Sequence, residues 1–101
     1  MNQTKNQKVG FNTLDQKEIQ GIKAVKNSHV FSKNGYVYAV HYGKVIFQHN
    51  EETKDTIIDL NCSMTSNRLI HRCLNYYGLT LDQCVNIHEG AKWNYSGEVQ
   101  N

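Results

Sequence analysis

One stretch decides the reading of this chain: Val30-Phe31-Ser32-Lys33-Asn34-Gly35-Tyr36-Val37-Tyr38-Ala39-Val40-His41-Tyr42-Gly43-Lys44-Val45-Ile46-Phe47-Gln48-His49. Asn34-Gly35 is the pair preferred in a type I′ hairpin turn, because both central residues must take positive φ. Gly43-Lys44 offers a second two-residue turn, with glycine first as type II′ requires. Counting outward from the two turns sets Phe31 opposite Tyr38, Val40 opposite Phe47 and Tyr42 opposite Val45. One sheet face then carries Phe31, Tyr36, Tyr38, Val40, Tyr42, Val45 and Phe47. The other carries Val30, Ser32, Val37, Ala39, His41, Ile46 and Gln48. Both registers converge on a single aromatic face, as a half-buried sheet requires. The stretch therefore reads as an antiparallel β-meander.

Downstream, Asn50 to Asp55 is a charged loop and Thr56 to Leu60 a fourth short strand, with Ile58 and Leu60 facing away from Ile57. Ser63 or Thr65 then caps a helix whose apolar stripe is Leu69, Ile70, Cys73, Leu74 and Tyr77. Gly78 stands where a C′ glycine belongs. Thr80-Leu81-Asp82-Gln83 has the form of another helix start with a capping box, running to about His88. The alternation of Val85 and Ile87 offers a short strand instead. Upstream, Thr13 with Gln16 resembles a capping box for a helix carrying Leu14, Glu18, Ile22 and Val25; Gly21 weakens it, and a strand over Ile22 to Val25 competes. The expected fold class is α+β: a small antiparallel meander of 3–4 strands against one principal α-helix, which covers the aromatic face. An extra short helix fits near each end. Residues 1–12 are polar and read as a flexible tail, 13–97 as one domain and 98–101 as a frayed end.

At 101 residues the chain holds one domain. Its net charge of +2 is not the strongly basic balance of a protein that binds duplex DNA by itself. Three cysteines leave an odd thiol, no signal peptide is expected from the polar N-terminal residues, and no apolar run is long enough to span a bilayer. The expectation is a cytoplasmic protein with reduced thiols and no membrane contact.

Chemistry-bearing residues are sparse. His71, Cys73, Cys84 and His88 supply four soft ligands, the outside reading being a zinc site. Residues 71 and 73 point about 200° apart on a helix, however, and Cys73 belongs to the apolar stripe. Cys62, just before a helix N-terminus, is the best-placed thiol for nucleophilic catalysis, but His41 would have to reach it as a base. No P-loop, dinucleotide fingerprint, HExxH or GxSxG occurs. The chain reads as a non-enzyme without cofactor.

The run from Val30 to Val40, then Gly43-Lys44-Val45 and the helix start Ser63-Met64-Thr65-Ser66-Asn67 leading into Arg68 to Leu74, resembles a small phage-associated domain of unknown function. The resemblance spans Val30 to Gly78 and implies a phage or mobile-element origin and action in the cytoplasm of a bacterial host. It implies no activity and carries over no functional residue.

Two readings of function follow. The first is a non-enzymatic inhibitor or anti-defence protein that occupies a surface of a bacterial host protein. Its patch is the outer helix face, Arg68, Arg72 and Asn75, with Tyr76 at the edge and the loop Glu51, Glu52, Lys54 and Asp55 alongside. The second is a nucleic-acid-binding module using Arg68, Arg72 and scattered lysines. A homodimer through unprotected strand edges is compatible with either.

Overall fold

The computed structural model describes residues 16–95. The expected tail, the frayed end, and Thr13 and Leu14 of the expected first helix lie outside them.

Six strands form one sheet in sequential order: β1 (Lys17–Glu18), β2 (Ser28–Lys33), β3 (Tyr36–His41), β4 (Lys44–Asn50), β5 (Thr56–Ile58) and β6 (Val85–Asn86). Neighbours pair antiparallel except β5 and β6, which run parallel. The one α-helix among the described residues, α1 (Met64–Tyr77), joins β5 to the return segment. The class is α+β, as expected, but the sheet is larger and mixed. The additional strands are two-residue pieces whose pairing arises from long-range contact.

The first hairpin follows its turn chemistry. Asn34 and Gly35 both have positive φ, and Phe31 pairs with Tyr38. The second hairpin differs. Its turn is Tyr42-Gly43, with φ of 53° and 77°, so that His41 pairs with Lys44 and Val40 with Val45. Ala39 pairs with Phe47, leaving Ile46 unopposed in a β-bulge. Two consecutive residues of a bulged strand can lie on one face, and Ile46 and Phe47 both join the core beneath the helix.

This register overturns the expected packing. Leu69, Ile70, Cys73 and Leu74 of α1 pack with Val30, Val37, Ala39, Phe47 and Ile58, not with the aromatic face. Phe31, Tyr38, Val40 and Val45 form a second cluster on the opposite side, against Tyr36, Trp93 and Tyr95. The Tyr95 ring meets Tyr38 edge-on at 5.0 Å between centroids, and the Asn94 N–H donates to Gln48 Oε1. A sheet with two apolar faces needs two covers, and the C-terminal segment supplies the second.

Cap chemistry follows the sequence at both ends of α1. Ser63 Oγ accepts from the Ser66 N–H at 3.1 Å, and Gly78 ends the helix in the left-handed region. Thr80 to Gln83 keeps its capping interaction, with the Thr80 N–H donating to Gln83 Oε1, but the element is one 3-10 turn, Leu81–Gln83. After it the chain enters β6 and then a second 3-10 turn, Ile87–Glu89. The upstream segment is neither the expected helix nor a strand over residues 22–25: it pairs as β1 and then turns at Gln20-Gly21. The expected open edges, β2 and β5, are therefore covered by β1 and β6.

One buried histidine belongs to the helix-side core. His49 stacks on Tyr77 at 4.4 Å between centroids. Its Nδ1 lies 2.8 Å from Thr56 Oγ1, whose own hydrogen goes to the Lys54 carbonyl, so Nδ1 is the donor. Burial, aided by Lys54, pushes its pKa below the ordinary 6.5, against the pull of Glu51. A depressed folded-state pKa makes this contribution to stability complete above pH 6.5 and progressively lost as the pH falls through the lower folded value. Denaturation from pH 7.5 down to 5 should show that decline, and His49→Gln, which keeps a donor for Thr56, should flatten it.

The two-cover arrangement predicts that Trp93→Ala with Tyr95→Ala exposes the aromatic face. The double variant should bind the apolar dye ANS and lose about 3 kcal/mol or more in urea unfolding, while far-ultraviolet helix signal persists.

Candidate binding surface and cavity

The expected patch is only partly assembled as a surface. Arg68, Asn75 and Tyr76 are exposed along α1. Arg72 is not free: its Nη1 donates to the Lys23 carbonyl at 2.9 Å, tying the helix to the segment after β1. Tyr76 is 51% exposed yet braced. Its ring meets Tyr77 edge-on at 4.9 Å, and a Cβ added at Gly21 would overlap it. A larger residue at position 21 would force the Tyr76 ring to move.

The loop Glu51, Glu52, Lys54 and Asp55 is exposed and internally ordered. Asn50 Oδ1 accepts from the Glu52 and Thr53 N–H groups at 2.9 and 3.1 Å, and the Glu51 N–H bonds to the Gly35 carbonyl. The loop approaches the C-terminal end of α1, where burial, aided by Glu51, pushes the Tyr77 hydroxyl up to about 12.

The four soft ligands do not converge. Cys73 lies in the core, where burial pushes its thiol up to about 12. His88 Nε2 is 2.7 Å from Asp59 Oδ1, and His71 is exposed on the helix. Among the described residues no group of three or more His, Cys, Asp or Glu is placed to hold a metal ion. The Cys84 thiol is likewise raised by burial.

The most built region lies at the start of α1. A cavity of about 400 Å³ opens between the β3–β4 turn and the helix, lined by His41, Tyr42, Lys44, Ile46, Asn61, Cys62, Ser63 and Ser66. His41 and Cys62 thus do share a site, though their separation in sequence gave no sign of it. Cys62 is not an activated nucleophile: burial and the nearby Asp59 raise its pKa, outweighing Lys44. His41 is instead bonded through Nδ1 to Ser66 Oγ at 2.6 Å, and Ser63 Oγ donates to Ser66 Oγ at 3.2 Å.

Beside the cavity sits Asp59, whose residue exposure is 1%. Its carboxylate takes Lys44 Nζ at 3.2 Å, His88 Nε2 at 2.7 Å and the Asn61 N–H at 2.8 Å. Burial alone would raise its pKa, but the bonds from His88, Lys44 and Asn61 hold it below the ordinary 3.8. Asp59 therefore ties β4, the helix approach and the second 3-10 turn at one point. At the cavity mouth, Tyr42 holds a left-handed backbone, rare for an aromatic residue, with its hydroxyl accepting from Asn27 Nδ2 at 2.9 Å. Asp59 and Ser66 were not singled out as site residues from the sequence, and Tyr42 only as one ring of the aromatic face. The available signals were an acid directly after a buried strand and a tyrosine before Gly43.

The chain matches no protein-family model, no curated protein and no solved structure. No helix among the described residues is long and apolar enough to cross a membrane.

Asp59→Asn should cost about 1.5–3 kcal/mol at pH 7, the range for hydrogen bonds to a charged group, since Lys44 and His88 can be rehydrated where they stand. The depressed folded-state pKa sets the sign: this stabilisation is complete above pH 3.8 and fades as the pH falls through the lower folded value. The gap between wild type and variant in chemical denaturation should accordingly narrow in acid.

Proposed function

We propose that the protein is a non-enzymatic binding protein that acts by occupying a surface of a partner protein. The observation that carries this reading is Tyr76: an exposed aromatic ring packed against Gly21 and Tyr77, at the edge of the exposed strip that carries Arg68 and Asn75. Tyrosine and arginine are, with tryptophan, enriched among residues that dominate binding energy, and a ring already packed in place loses little freedom on association. Arg72 contributes by fixing the helix to the segment after β1, and the charged loop stands as a rim at the far end of the helix.

The chemistry of the remaining candidates favours binding over catalysis. The raised pKa values of all three cysteines keep them as thiols near neutrality. Asp59, which could have served as a base, is saturated by its three donors. The inhibitor or anti-defence role against a bacterial host protein rests on the resemblance to a phage-associated domain. The nucleic-acid reading loses weight because Arg72 is engaged and Phe31 and Tyr38 are buried, each only 3% exposed.

Affinity capture from a bacterial lysate, with and without nuclease, tests the reading. A stoichiometric protein should survive nuclease treatment and be lost with Arg68→Glu plus Tyr76→Ala, while Tm changes little. Arg72→Glu should instead lower Tm. Capture of nucleic acid alone, or of a protein equally well by the double variant, would contradict the assignment.

A further inference from the structure

We propose that the partner seated on the Tyr76 face is a protein surface with carboxylates around an apolar centre, and that Lys23 and Lys26 belong to the same docking surface. The inference rests on the proposed binding function and names the chemistry of its partner.

The segment between β1 and β2 runs back along α1. The Tyr76 ring lies over Gly21, and the Lys23 carbonyl accepts from Arg72 Nη1 at 2.9 Å. Further on, Asn27 Nδ2 donates to the hydroxyl of Tyr42, which lines the cavity at the helix start with Ser63 and Ser66. Lys23 and Lys26 are exposed on this segment, next to exposed Arg68 and half-buried Arg72. The four cations form one strip.

Nothing in the fold neutralises it. No Asp or Glu occurs from residue 19 to 50 or from 60 to 81, the two spans that build the strip. Among the described residues the ion pairs are those of Asp59 with Lys44 and His88, and none involves these four cations. Arg72 bonds to a neutral carbonyl and keeps its charge. The four fixed charges exceed the net +2 of the whole chain, so the chain outside the strip is net acidic. Arg68 and Arg72 stand at i and i+4, where like charges weaken a helix instead of supporting it. Clustered, unpaired cations add nothing to the fold, but they create a local positive potential that draws in opposite charge.

The residues among the charges decide between a protein and a nucleic acid. Met64, one turn before Arg68, is 81% exposed, and Tyr76 at the other end of the helix is 51% exposed. Tyrosine, methionine and arginine are enriched at the centre of protein interfaces, and lysine is depleted there. The strip has that arrangement, with Met64, Arg68 and Tyr76 along the helix and the two lysines at its flank. A thioether and an aromatic ring gain from burial against apolar surface, which a phosphate backbone does not offer. A polyanion continuing past the helix would also meet the acidic loop at its C-terminal end, where Glu51 and Glu52 are exposed. A protein partner of limited footprint avoids that loop and sets its carboxylates against the lysines.

Selection of binders by the full chain from a displayed library of random peptides, followed by NMR titration with the best of them, tests the inference. Enriched sequences should carry Asp or Glu in excess of Lys or Arg beside an apolar residue. They should shift the amides of residues 23–27 and of the outer helix face. Lys23→Gln with Lys26→Gln should slow association of that peptide about tenfold at low salt, the difference closing at high salt. The Lys23 carbonyl remains in this variant, so the Arg72 bond persists and Tm should not move. Lys33→Gln with Lys92→Gln removes the same charge on the opposite side of the sheet, where Lys33 lies over Tyr95 and Lys92 precedes Trp93. That pair should have no comparable effect. Peptides without acidic excess that are still lost with Tyr76→Ala would overturn the acidic partner and leave the proposed binding surface standing. Peptides insensitive to both changes, or no enrichment at all, would remove both. Tighter binding of a mixed-sequence single-stranded oligonucleotide than of any selected peptide would assign the strip to nucleic acid instead.

Discussion

Between Ala39 and Val40 the pairing of β3 with β4 slips by one residue, and Ile46 is the residue left over. The rest of the structure depends on that bulge. It lets Ile46 and Phe47 lie together beneath α1, so the helix settles on the Val37–Ala39 side of the sheet. The opposite face keeps Phe31, Tyr38, Val40 and Val45, which the C-terminal segment then covers through Trp93 and Tyr95. With the turn at Tyr42-Gly43, the same register ends β3 at His41, beneath the first turn of the helix and within reach of Ser66. Sheet register, the choice of covered face and the cavity are one geometric fact.

The polar groups near the helix start are organised in two adjoining systems. Asp59 is a fully occupied acceptor that binds strand, loop and return segment together. His41, Ser66 and Ser63 form a chain of imidazole and hydroxyls at the start of α1. One system locks the end of the fold in place, and the other is open toward the cavity. His49 lies deeper in the helix-side core, with its Nδ1 donating to Thr56 and its ring stacked on Tyr77.

Much of this was legible in the chain because local chemistry dictated it. Asn34-Gly35 specified both a turn and a register, Ser63 and Gly78 marked the helix ends, and Leu69, Ile70, Cys73 and Leu74 marked its buried stripe. The second turn was not legible. Gly43-Lys44 satisfies the glycine-first rule, whereas the actual turn places Tyr42 in a conformation that tyrosine seldom adopts. A bulge leaves no residue signature of its own, so the face of Phe47 could not be read by counting. β6 was no clearer, since a two-residue parallel strand exists only through its contact with β5. The candidate site shared this limit. The exposed helix residues followed from periodicity, but the meeting of His41 with Ser66 and of Asp59 with His88 spans the whole fold.

The position of the Phe47 ring tests the register most directly. Nuclear Overhauser contacts should connect it to Tyr77 and to the helix side chains Leu69 and Ile70, with an Ala39–Phe47 cross-strand contact and a His41–Lys44 contact at the turn. Contacts from Phe47 to Tyr38 or Tyr95, with Val40 opposite Phe47, would place the ring on the aromatic face. That result would remove the bulge, the two-cover arrangement and the cavity at the start of the helix together.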